Sequence, residues 1–390
     1  MPVFCLAAVG PAFASDTATN TINTNQVVVA GTNAPATNAP SLFLDPLDHW
    51  FDASGFLDTR YGFLPMALPI TEPAVGYGGA GGLMFVDRNP RRPDGKPVPP
   101  TLTGVAGAGT ENGTWGIFAL NSAWWRDGTI QTRVAGGYAK VNLKYYGLGN
   151  SPFNNNPLKY TLKPLGGLAE ARFRLGQSDW MAGGGYVYAA TEVSFDGNVV
   201  PPGINLPSSS SHMGGLKPVI LYDSRDNIFT PTKGVYAQLY AGFYAPAFAS
   251  DTSFQTIEPL YIFYLPLSPK WTFGLNTGGG FSFGEAPFYA RPYVELRGVP
   301  VREYQADNVV QTEAELRWQF WKRYSIVGFA GGGAIWNDSG GNTERSVVSG
   351  GFGLRYELAR TYGLHLGADV GFSRKTTALY ITVGSAWFRP

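Results

Sequence analysis

The chain has 390 residues, with 29 Lys and Arg against 28 Asp and Glu, and only 15% of it is charged. Soluble domains carry about 25% charged residues, and the near-neutral balance excludes the strongly basic surface that nucleic acid attracts. No run of about 18 apolar residues occurs, so no transmembrane helix is encoded; a membrane chain without one must close a sheet, because unpaired backbone groups cannot face hydrocarbon.

Residues 1–14 are apolar, end in Ala12-Phe13-Ala14 and read as a signal peptide cleaved before Ser15. The stretch holds no basic residue, the first being Arg60, so the natural start is expected further upstream. Cys5, the sole cysteine, lies inside it. As a lipoprotein acceptor it would follow Val3-Phe4 rather than the small residues that processing prefers. The mature chain is therefore expected to hold neither a disulfide nor a nucleophilic thiol. Residues 15–55 read as a disordered leader, rich in Thr, Asn and Ala and almost uncharged as far as about residue 41, with nothing to bury.

From residue 56 to 390 short alternating segments recur between turn signals, with a first strand placed at residues 56–64. Ala169, Ala171, Phe173 and Leu175 oppose Glu170, Arg172 and Arg174, a charge density on one face that suits a water-filled or salt-bridged lumen. In residues 270–283, Trp271, Phe273, Leu275, Phe281 and Phe283 oppose Lys270, Thr272, Asn276 and Ser282. After a charged loop from Arg297, Val310, Thr312, Ala314, Leu316, Trp318 and Phe320 oppose Val309, Gln311, Glu313, Glu315, Arg317 and Gln319. Residues 348–357 set Phe352, Leu354 and Tyr356 against Arg355 and Glu357. Residues 362–373 set Tyr362, Leu364, Leu366, Ala368, Val370 and Phe372 outward, with His365, Asp369 and Ser373 inward. The last strand carries Leu379, Ile381, Val383 and Trp387 on one face. An apolar outer face with a polar inner one, and short turns alternating with longer loops, define an all-β transmembrane antiparallel β-barrel of 16 strands, with 14 as the alternative.

Three stretches resemble the Omp85 superfamily of outer-membrane barrels. The strongest is Leu296-Arg297-Gly298-Val299, followed by Glu313-Ala-Glu315-Leu-Arg317 and Phe329-Ala-Gly331-Gly-Gly333. The resemblance implies that the external loop folds into the lumen and that Arg297 pairs with acidic side chains of the inner wall, making Arg297, Gly298, Glu313, Glu315 and Arg317 a candidate loop lock. A guanidinium can hold a carboxylate bidentately, and glycine lets the backbone turn tightly beside the wall. Val299 stands where the family usually has an aromatic, with Tyr304 as a substitute, and Gly331 where many relatives have an Asp. The second stretch, Tyr222-Asp223-Ser224-Arg225-Asp226-Asn227 with Pro231 and Gly234, reads as a structural turn motif. The third runs from Tyr61-Gly62-Phe63-Leu64-Pro65 through Pro73 to Gly82 and resembles the family's entry into the first strand. Its glycines Gly76, Gly78, Gly79, Gly81 and Gly82 either loosen the seam between first and last strands or accommodate barrel curvature.

The resemblance implies an outer-membrane location in a Gram-negative bacterium and a role in inserting or translocating protein or lipid. Only some fifteen residues separate the leader from the first barrel-like segment, so no POTRA domain is expected between them. A passive channel and a surface antigen or adhesin remain as alternatives. The expected partners are outer-membrane lipid and client outer-membrane proteins or lipids, with no nucleic acid, no cofactor and no metal. His49, His212 and His365 are isolated, with His212 in a Ser-rich external loop, and no Gly-x-Ser-x-Gly elbow occurs, so no enzyme is expected.

Overall fold

A computed structural model describes residues 42–59, 63–148, 151–196, 210–338, 344–374 and 376–389. The signal peptide, the leader to residue 41, Tyr61-Gly62 and most of the loop before residue 210 lie outside these described residues. Among the described residues sixteen strands form one antiparallel sheet in which each pairs with its neighbours in sequence. The first eight are β1 (Phe63–Ile70), β2 (Gly78–Asp87), β3 (Thr101–Thr110), β4 (Trp115–Trp125), β5 (Ile130–Tyr145), β6 (Leu158–Arg174), β7 (Trp180–Phe195) and β8 (Ser210–Asp223). They continue as β9 (Gly234–Tyr244), β10 (Phe254–Ser268), β11 (Trp271–Gly284), β12 (Asn308–Trp321), β13 (Tyr324–Trp336), β14 (Arg345–Ala359), β15 (Leu364–Ser373) and β16 (Thr377–Val383). The sheet curls until β16 lies beside β1, where the Thr71 hydroxyl donates to the Leu379 carbonyl.

Period-two alternation makes the wall. On β12, Val310, Leu316, Trp318 and Phe320 are exposed on the outer side, while Val309, Glu313, Glu315 and Arg317 are buried inside. An outer surface of exposed aliphatics over buried charges suits lipid outside and a packed polar interior. At the short-turn rim Trp180 meets Tyr222 at 5.1 Å, Trp271 stacks on Trp318 at 5.3 Å and Tyr324 meets Tyr356 at 5.0 Å. Such rings form the interfacial belt of a membrane barrel.

Five expectations are corrected. The first strand is Phe63–Ile70 rather than residues 56–64, and Ser54–Leu57 is a single helical turn, α1. Gly78, Gly79, Gly81 and Gly82 lie on β2, inside the sheet, and Gly76 in the turn before it, so these glycines do not form the seam edge. His212 lies near the start of β8 rather than in a loop. Residues 42–55 are not free leader: Leu44 bridges Phe51, Trp50 packs on Trp321 at 5.0 Å, and Ala53 and Leu57 sit in a cluster with Leu64, Met84 and Leu102. Tyr362 and Leu364 join that cluster, so neither faces outward.

Residues 42–59 thus cover the short-turn mouth. The opposite mouth is filled by the loop of residues 285–307, whose Phe288 and Tyr289 pack with Phe118, Tyr145, Tyr160 and Phe195 in one apolar core.

Candidate functional site

The loop of residues 285–307 leaves β11, fills the upper lumen and brings its tip, Arg297-Gly298, to the inner wall. Val294, Leu296 and Val299 anchor it in a buried cluster with Val309, Ile335 and Val347, packed by Tyr304. Gly298 has φ +91°, and a Cβ there would meet the Phe372 backbone nitrogen at 2.7 Å, so the tip lies backbone to backbone on β15. Only glycine fits that approach.

Arg297 sits among three carboxylates. Its Nε and Nη2 donate to Glu313 Oε1 at 3.0 and 2.8 Å, and its Nη1 lies 2.9 Å from Glu315 Oε2 and 2.8 Å from Asp369 Oδ2. The guanidinium also stacks over the Phe329 ring, 3.6 Å from its centroid. Asp369, fully buried, is shared with Arg355, whose Nη2 donates to Oδ2 at 2.8 Å. This is a charge-assisted network in a space without bulk water, where each partner compensates the desolvation of the next.

Of the sequence-derived residues, Arg297, Gly298, Glu313 and Glu315 come together. Arg317 faces the same lumen, and its Nη2 donates to the Pro231 carbonyl at 2.8 Å rather than joining the guanidinium–carboxylate contacts of Arg297. Gly331 supplies room rather than charge: a Cβ there would meet Leu296 at 3.0 Å, and the third carboxylate comes from Asp369 on β15. Asp369 and Arg355 were legible as inward-facing, though not as partners of Arg297.

Trp387 is a correction. β16 ends at Val383, Gly384 turns at φ +86°, and the following segment re-enters the lumen. Trp387 is buried among Met181, Leu221, Tyr236, Ile262 and Tyr264, and its Nε1 donates to Glu313 Oε1 at 2.8 Å. The carboxylate that grips Arg297 is therefore held by Trp387 as well. Replacing Trp387 by Phe keeps the ring and removes this donor. A hydrogen bond to a charged group contributes about 1.5–3 kcal/mol. We expect the folded barrel to unfold at a lower temperature in heat-modifiability gels; an unchanged transition would exclude the bond as a contributor.

The turn motif forms a compact hairpin at the short-turn rim. Arg225 grips Asp223 through Nε at 2.9 Å and Nη2 at 2.8 Å. Asp226 accepts the Thr232 and Lys233 N–H groups, Pro231 offers its carbonyl to Arg317, and Gly234 closes the turn at φ +108°.

The seam is built differently from the rest of the wall. β1 and β16, of 8 and 7 residues, are the shortest strands, and among the described residues no ladder pairs them. β1 carries Pro65 and Pro69 at the same parity while its register with β2 runs unbroken from Phe63↔Phe85 to Ile70↔Gly78. Proline cannot donate. An unbroken ladder therefore requires the even-numbered residues to serve β2, which places both missing donors on the β16 edge.

The loop tip bridges this seam from inside. The Gly298 N–H donates to Tyr380 Oη of β16 at 2.9 Å, and the Val301 N–H to Glu72 Oε1, just beyond β1, at 3.1 Å. Burial pushes the Glu72 carboxyl above its ordinary value, the Val301 and Ala74 N–H groups offsetting this only in part.

A sixteen-stranded barrel with an inward-folded loop locked by arginine onto a glutamate-bearing strand defines a class of outer-membrane β-barrel. The sequence model of the Omp85 superfamily domain matches residues 153–372, and the chain belongs to that superfamily. Among solved structures it resembles BamA from Haemophilus ducreyi lacking POTRA domains 1–3, with TM-score 0.53 and 13% identity over 83% of this chain and 69% of that one. It also resembles CdiB from Acinetobacter baumannii, with TM-score 0.56 and 12% identity over 82% of this chain and 59% of that one. CdiB from Escherichia coli gives TM-score 0.56 and 12% identity over 82% and 62%. The chain thus spans about three fifths of each CdiB. No curated protein matches it.

Proposed function

We propose that this protein works in the outer membrane of a Gram-negative bacterium, with its short turns in the periplasm, and assists insertion or translocation of protein or lipid through the seam between β1 and β16, without enzymatic chemistry. The observation that carries this reading is the seam itself: short strands, two absent donors, and closure by a loop tip bonded to both sides. An incoming strand would find unpaired edges, which act as templates for strand addition. A permanently open channel is disfavoured, since both mouths are filled by the chain's own segments.

A cysteine pair introduced by Thr71→Cys and Leu379→Cys tests it, these residues being in contact across the seam. Oxidised protein in proteoliposomes is expected to lose most of its ability to speed insertion of a urea-unfolded eight-stranded barrel, and reduction should restore it. Equal rates in both states would sink the reading.

A further inference from the structure

Away from the seam, the outer wall carries a groove of about 430 Å³ across β7 to β12. Its floor is Pro259, Gly278 and Gly279, and its flanks include Leu239, Tyr261 and Phe281. The cause is local. The β10–β11 register holds at Ile257↔Phe281 and resumes at Leu260↔Gly278, lapsing at Pro259 and Gly279 between them. Proline supplies no donor there, and the glycines supply no side chain to fill the gap. Behind the lapse Pro292 of the inner loop presses on Gly280, where a Cβ would meet it at 2.5 Å, so the floor is supported from inside.

The groove faces the membrane: Leu239 and Tyr261 are both 43% exposed on the lipid side. It follows a row of cross-strand neighbours, Ile220↔Leu239, Leu239↔Pro259 and Gly279↔Val310. Because barrel strands tilt by about 35–45°, this row climbs obliquely from the short-turn rim, where Trp180 closes it, toward the long-loop side. Its volume lies in the range of about 300–1,000 Å³ typical of small-molecule sites. Its lining is apolar, and Trp180 belongs to the interfacial belt where rings meet headgroups.

We propose that this groove holds one acyl chain of a membrane phospholipid, with the headgroup at Trp180. The choice of phospholipid over lipopolysaccharide rests on the orientation proposed above, which puts the Trp180 rim in the periplasmic leaflet. The bound chain covers a stretch of wall where the ladder lapses and side chains are missing, and so seals a thin place in the barrel opposite its inner loop.

The experiment is native mass spectrometry of the full chain extracted from outer membranes in mild detergent. Ala237→Trp fills the groove, and Ala119→Trp, on the outer face of β4, serves as control. Wild type and A119W should retain one phospholipid. In A237W the lipid-bound fraction should fall about tenfold, the effect of losing roughly two buried methylenes. No retained lipid, equal retention in both variants, or retention of lipopolysaccharide would each overturn the proposal. Should A237W fail to fold, a diazirine-bearing phosphatidylethanolamine on the wild-type protein decides. Label concentrated on β9 to β11 supports the groove, and label spread evenly over all strands refutes it. The seam cross-link reads the functional proposal separately, so either can fail alone.

Discussion

Replacing Arg297 by alanine is expected to release the tip of the inner loop and raise the conductance of the refolded protein in a planar bilayer. Glu313, Glu315 and Asp369 would be left facing one another with only Arg355 in contact with Asp369. Removing one partner of a buried ion pair costs about 3–5 kcal/mol, because the remaining charges stay desolvated. The apolar anchors Val294 and Leu296 stay in place, so the base of the loop should hold while residues 297–301 detach. The seam bonds to Tyr380 and Glu72 come from this same stretch and should be lost together with the lock. Arg297→Lys should be intermediate: a single ammonium cannot reach three carboxylates with the fork that guanidinium offers. A small, fluctuating conductance in wild type that rises in Arg297→Ala is the expected result. A large, steady conductance indifferent to the substitution would mean that the loop does not close the lumen.

The lock was readable from two signals: alternation on one strand, which turns Glu313 and Glu315 inward, and the resemblance of Arg297-Gly298 to the Omp85 loop, which implied the pairing. Glu313 and Glu315 share a face with period two, and a charged loop arrives just before them. Asp369 and Arg355 were also visible as inward-facing residues, but nothing local says that β15 and β14 present them to a loop more than 50 residues upstream; that depends on closure of the whole sheet. Trp387 was misplaced because alternation was carried through Gly384, a residue that can take φ > 0 and turn a strand aside. The first strand was misplaced for a related reason. Pro65 and Pro69, two prolines in eight residues, argue against a central strand but suit an edge, and the seam is where a barrel has its edges.

The segment before β1 holds a second lock, and it leads to the other large effect. Asp45, Asp48 and Asp52 fall in the stretch that reads as leader, yet three acids within eight residues, just after an almost uncharged tract, are the signal that marks it. All three converge on Arg323 in the β12–β13 turn, whose side chain is fully buried: Nη2 with Asp45 at 2.5 Å, Nε with Asp48 at 2.9 Å, Nη1 with Asp52 at 2.8 Å. Arg360 in the β14–β15 turn adds contacts to Asp45 and Asp48 at 2.7 Å each. Two turns are thereby clamped to one segment across the short-turn mouth. Arg323→Ala should cost about 3 kcal/mol, the low end for a buried pair because Arg360 remains, and should expose Trp50, Phe51 and Phe56 to chymotrypsin without unfolding the barrel. Acid should do the same. The hydrogen bond from Arg323 holds the Asp48 carboxyl far below the usual carboxylate range. Its contribution is complete above about pH 4, the ordinary aspartate value, and is lost as pH falls from there toward the folded-state value. Segment 42–58 should therefore stay protected at pH 7 and pH 5 and, when tested with an acid-active protease such as pepsin, become cleavable only in strong acid. With both Arg297 and Arg323 replaced, each mouth loses its lock, and the conductance should exceed that of either single variant; equality with Arg297→Ala alone would show that the N-terminal segment does not obstruct the pore.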